Sequence, residues 1–174
     1  HIVAKGNGYD LISGKAQLKA DVSINRFAYG GYDLSGLRFQ TLLKGHKALF
    51  EAAINNEIVK GDVKAELMLE RLISIKADAN IEQADLRRLN VTTDTLSAGG
   101  QLHLYATTDR QFNRITANGI ADHLFAVSPS RGFSTDDIHF NFKTGTDSTM
   151  VGINSGDLRL LLATKVDINR LTPR

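Results

Sequence analysis

The stretch LKADVSIN, residues 18–25, alternates apolar and polar at every step: Leu18, Ala20, Val22 and Ile24 on one parity, Lys19, Asp21, Ser23 and Asn25 on the other. Successive side chains of an extended chain point to opposite faces, so a period of two spells a half-buried β-strand. The same ribbon returns in VKAELMLE (63–70), IKADANIE (75–82), QLHLYATT (101–108), IHFNFKT (138–144) and DLRLLLAT (157–164). Breaks rich in Gly, Asn and Asp lie between them, at 30–31, 55–56, 99–100 and 154–157, and these residues suit turns. The pattern predicts an all-β antiparallel protein. Its strands are expected at 2–5, 9–13, 15–27, 31–43, 48–54, 58–70, 73–81, 89–92, 94–106, 113–120, 124–128, 136–145, 148–154 and 157–167. The one helix candidate, IEQADLRRLN at 81–90, has no clean cap and fits a single turn equally well.

Composition sharpens this picture. The 174 residues suit one domain, and with only Pro129 and Pro173 there is no Pro-rich linker to divide it. A sandwich of this size fills its core with large side chains. Here Trp is absent, aromatics are 7%, and many inward positions are small: Ala20, Ala52, Ala65, Ala77, Ala79, Ala98, Ala106 and Ala117. Such a lining suits a curled sheet, or an apolar face meant for something other than a second sheet.

Charge and chemistry remove other classes. The 21 Lys+Arg and 19 Asp+Glu are interspersed rather than clustered, which argues against nucleic acid as a partner. Without Cys there is no disulfide framework or thiolate site. No run approaches the roughly 20 apolar residues of a membrane-spanning helix. The chain starts HIVAKGNGYD, with neither Met nor a signal-peptide pattern, so it is expected to be a section of a longer protein. His1, His46, His103, His123 and His139 form no metal-binding spacing. His103 in LHL and His139 in IHF belong on the solvated strand face. Asp136 and Asp137 are adjacent, so in a strand they cannot face one substrate together, and they fit a strand start instead. With no nucleophile elbow or phosphate loop, the chain is expected to be no enzyme, with no cofactor and no metal. The absence of Trp and the scatter of four Tyr also disfavour a sugar-binding domain.

The apolar stripe is then the only candidate site, and the alternative for it is ordinary core. At ADANIEQADLRRLNVTTDTLSAGGQLHLYA (77–106) the chain resembles the repeating β-units of the AsmA-like family, in its translocation-and-assembly-module branch. ITANGIADHLFAV (115–127), FSTDDIHFNFKT (133–144) and STMVGINSGDLRLLLATKVDINRL (148–171) continue the likeness over residues 15–171. Gly156 departs from it by interrupting the usual Ser-Asp step.

The resemblance implies a long curved antiparallel sheet folded into a half-pipe, or taco, with an apolar interior. It implies a periplasmic rod, anchored in the inner membrane, reaching the outer one, and working with an Omp85-type barrel partner. Residues 1–174 would then be one β-groove segment whose interior shields phospholipid acyl chains in transit. The alternative within the same resemblance is an assembly module that holds unfolded outer-membrane protein segments by adding their strands to its edge. The implied groove residues are Leu18, Val22, Ile24, Leu34, Phe39, Phe50, Val63, Leu67, Leu69, Ile81, Leu102, Leu104, Ile138, Phe140, Phe142, Leu158 and Leu160.

Overall fold

The computed structural model describes residues 1–7, 15–26, 28–29, 32–33 and 35–165; the strand expected at 9–13 lies outside them. In chain order the strands are β1 (Ile2–Asn7), β2 (Gln17–Ile24), β3 (Ala28–Tyr29), β4 (Tyr32–Asp33), β5 (Leu37–Lys44), β6 (Lys47–Asn55), β7 (Val59–Leu69), β8 (Leu72–Asp85), β9 (Ser97–Asp109), β10 (Ile115–Val127), β11 (Gly132–Ser134), β12 (Ile138–Thr144), β13 (Thr149–Ser155) and β14 (Leu158–Thr164). Twelve of them form one antiparallel sheet in the order β1-β2-β5-β6-β7-β8-β9-β10-β12-β13-β14, with β11 beside the end of β10; β3 and β4 pair apart as a short ribbon. The sheet is open. Its edges are β1 and β14, and no helix occurs among the described residues.

Among the described residues, close contacts between elements run between sheet neighbours, within the one open sheet and the short β3–β4 ribbon. The accessible surface is 12609 Å². A compact protein of 19.0 kDa would expose roughly 8,400 Å². Buried apolar side chains are accordingly few among the described residues: Ala16, Leu43, Ala48 and Ile58. The first three pack with Phe50, Leu67 and Leu69 where β2, β5, β6 and β7 come together.

Several expected elements come out differently. The strand expected at 31–43 is two, β4 and β5, with a turn at Ser35-Gly36 before β5. The 81–90 segment is no helix: β8 runs on to Asp85, and one turn follows, in which the Leu89 N–H donates to the Asp85 carbonyl at 3.0 Å. The Asp85 carboxylate caps that turn by accepting the N–H groups of Arg87 and Arg88 at 3.1 and 3.0 Å. The turn also takes up the strand expected at 89–92. Conversely, the strands expected at 113–120 and 124–128 are one strand, β10, carrying a bulge between Asp122 and Phe125. His123 adopts a φ of 50° there, which lets the ladder resume after an extra residue. Matching irregularities fall at Lys60/Gly61 and Ile81/Ala84, so the bulges line up across β7 to β10.

The turn into β5 shows how tightly local geometry is set. Gly36 has a φ of 77°, its N–H donates to the Ile24 carbonyl at 2.8 Å, and a β-carbon there would meet the Asn55 carbonyl oxygen. Asn56 fastens the neighbouring turn: Nδ2 donates to the Ser35 carbonyl at 3.0 Å, and Oδ1 accepts the N–H groups of Ile58 and Val59 at 2.8 Å each. Gly36→Ala is expected to lower unfolding free energy by about 1–3 kcal/mol. Gly132→Ala, where an added β-carbon meets open space, is expected to change it by under about 0.5 kcal/mol; urea titrations of the two variants check both.

Candidate functional site: an apolar sheet face

In an antiparallel pair, residues directly opposite each other share a face. Following the register across the sheet therefore shows what each face carries. One row runs Gly6, Leu18, Leu43, Ala48, Leu67, Ile75, Ala106, Ala117, Phe142, Val151, Leu162, from edge to edge without a polar side chain. The row above it runs Ala4, Ala20, Thr41, Phe50, Ala65, Ala77, Leu104, Gly119, Phe140, Ile153, Leu160, with Thr41 its single polar member. A third runs Ile2, Val22, Phe39, Ala52, Val63, Ala79, Leu102, Ala121, Ile138.

The sequence-predicted groove residues fall on this face. Leu18, Val22, Phe39, Phe50, Val63, Leu67, Leu102, Leu104, Ile138, Phe140, Phe142 and Leu160 lie in the three rows. Ile24, Leu69, Ile81 and Leu158 extend them at the strand ends, opposite Leu37, Ile73, Gly100 and Ser155. Leu34 lies outside the described residues. Leu43, Ala48, Ile75, Val151 and Ile153 belong to the same rows and were not among the predicted set. The signal for them was the same period of two, in LRFQTLLK, KALFEAAIN, LISIKADA and TMVGINS.

Size varies along the rows. Phe39 and Phe50 hold their rings 6.4 Å apart. In the middle row the Phe140 ring lies over Gly119, where a β-carbon would collide with it; the glycine supplies the space and the ring restores the apolar cover. Toward β14 the face opens to water: Leu158, Leu160 and Leu162 are 63%, 55% and 60% exposed.

The opposite face is mostly polar, interrupted by Leu42, Leu49, Met68 and Leu161, and it carries cross-strand polar pairs. His103 Nδ1 meets Asp78 Oδ1 at 2.7 Å, and its Nε2 is 3.7 Å from Asp122 Oδ2. Lys47 pairs with Glu66 at 2.8 Å, and Gln40 donates to Asp21 at 2.9 Å. His103 and His139 share an open depression of about 640 Å³ on this side with Asp78, Tyr105 and Asn141. No three metal-ligating side chains converge among the described residues. Asp136 and Asp137 precede β12, where the Asp136 carbonyl accepts from Ser155 Oγ at 3.4 Å.

His123 is held above its ordinary value of 6.5, first by its hydrogen bond to Asp122 and then by the charges of Asp122 and Asp137. Because the folded state binds this proton more tightly than the unfolded one, the contribution to stability is fully present below about 6.5 and is lost as pH rises through the raised value. Asp122→Asn is expected to lower the titration midpoint of His123, read from its ring-proton chemical shifts.

Comparison with protein-family models, with curated proteins and with solved structures finds no match to this chain.

Proposed function

We propose that this chain is a section of a β-sheet conduit whose apolar face shields phospholipid acyl chains in transit between the inner and outer membranes of a cell envelope. The observation that carries this reading is the uncovered face. Apolar rows run the full width of the sheet, from β1 to β14, and no second layer packs on them among the described residues. Each CH₂ of an acyl chain taken from water onto such a face contributes about 0.8 kcal/mol, so the chain can be held without a chemical step. Curling of the sheet into a half-pipe would enclose the chain further.

On the same reading the site is non-enzymatic and the setting is the periplasm. An inner-membrane anchor and an Omp85-type outer-membrane barrel would belong to the whole protein. The likeness of residues 15–171 to AsmA-like repeats supports this setting. The double variant Leu102→Asp/Leu160→Asp places charge in two rows at positions already 38% and 55% exposed, so the fold is expected to survive. It is expected to lose co-purifying phospholipid and at least tenfold in affinity for a fluorescent acyl-chain probe. Unchanged lipid content in a folded variant sinks the proposal.

The edge strand β14 favours a second reading, capture of unfolded outer-membrane protein strands. Leu160, Leu161 and Leu162 are 55%, 68% and 60% exposed, and only Arg159 guards this edge with a charge. Leu161→Lys, on the polar face, is expected to weaken capture of an extended peptide while leaving acyl-chain binding intact. Peptide binding that is lost only in the Leu102/Leu160 double variant excludes edge pairing.

A further inference from the structure

The turn from β9 to β10 reads Arg110-Gln111-Phe112-Asn113-Arg114, and it adjoins the β7–β8 turn that carries Arg71. Together these turns surround an open depression of about 510 Å³ at one end of the strands, with Thr107 and Thr116 in its lining. The loop is built rather than loose. Asp109 Oδ1 accepts the Asn113 N–H at 2.8 Å, and the Asp109 carbonyl accepts the Phe112 N–H at 3.1 Å. Arg110 Nε donates to the Glu70 carbonyl at 3.2 Å, which ties the two turns together and leaves both terminal nitrogens of its guanidinium for a ligand.

Three guanidinium groups thus border one depression, and among the described residues none of them is in an ion pair. At the opposite strand ends the arginines have partners: Arg88 meets Glu57 at 3.4 Å, and Arg87 donates to Thr95 at 3.2 Å. Three guanidinium groups against the one lining carboxylate, Asp109, leave the depression net positive, which favours an anion, and planar guanidinium forks match phosphate oxygens in a bidentate way. Phe112, at the tip of the loop, is 61% exposed and has a φ of 57°, a conformation rare for a bulky residue. An outward aromatic between arginines has the composition of a membrane-interface contact.

The depression lies on the polar-face side of these strand ends, where Leu72 pairs with Asp109 and Ser74, Thr107 and Thr116 pair in line; the apolar face reaches the same end of the sheet on its other side. Arg114 directly precedes Ile115, and Arg71 lies between Leu69 and Ile73; these three apolar residues continue the face toward that end. Building on the lipid-shielding function proposed above, we infer that Arg71, Arg110 and Arg114 form a phosphate-binding site for phospholipid headgroups, with Phe112 contacting the interface.

The test is sedimentation of the protein with phosphatidylglycerol vesicles, alongside titration with inorganic phosphate. Arg71→Gln/Arg110→Gln/Arg114→Gln is expected to lower vesicle affinity on the order of a hundredfold with unchanged circular dichroism, whereas Arg87→Gln/Arg88→Gln binds like the parent. No loss in the triple variant, or equal loss in both, overturns the site. Arginine-dependent binding of inorganic phosphate without vesicle binding overturns the headgroup assignment. Should the triple variant fail to fold, Arg114→Gln alone and the triple Arg→Lys variant carry the test; both are expected to weaken binding, the second by removing the fork while keeping the charge. The Leu102→Asp/Leu160→Asp variant separates the two ideas: retained acyl-chain binding there sinks the conduit, while the arginine result stands or falls by itself.

Discussion

Everything in this molecule depends on the cross-strand register staying in phase. A strand has a side-chain period of two, so a slip of one residue at any pairing would turn Lys, Asp and Glu onto the apolar face and Leu and Phe into water. Tight turns hold the phase between consecutive strands, such as the Asn56-capped link from β6 to β7. Where an extra residue enters, at the end of β8 and at His123, the bulges fall beyond the three apolar rows. Two of the rows therefore pass from edge to edge without interruption, and the third runs from β1 to β12.

The energetics differ from those of a layered domain. Four buried apolar residues among those described do not make a core of the usual kind, so cohesion comes from the backbone ladder and from neighbours on the same face, such as Phe39 with Phe50 and Phe140 with Gly119. Each strand touches chiefly the one before and the one after, as in quasi-one-dimensional repeat architectures. A face left half in water in this way retains a driving force to be covered, which is the physical basis of the lipid reading.

Charge is placed in two ways. On the polar face, carboxylates alternate with His and Lys across strands, as in the run from Asp78 through His103 to Asp122. At the β7–β8 and β9–β10 turns, three arginines stand around a depression whose carboxylate, Asp109, is engaged by its own loop. Both arrangements are exposed, so each matters for what the protein meets more than for how stably it folds.

The sequence alone determined the class of the protein and the membership of its apolar face. Alternation in LKADVSIN, IKADANIE and IHFNFKT is a local consequence of the β-strand, and each strand carries its own copy of the signal. It could not separate a bulged strand from two strands at His123, because the positive φ that continues β10 is supported by the ladder on either side. Nor could it distinguish a helix from a capped turn at 81–90, where the decision fell to Asp85 at the end of a long paired strand. Only the tertiary structure decided that the sheet is one open layer, and only it brought Arg71 beside Arg110 and Arg114, across some forty residues of chain. Pairing partners and spatial neighbours are set by which strands lie side by side, and no local period encodes that.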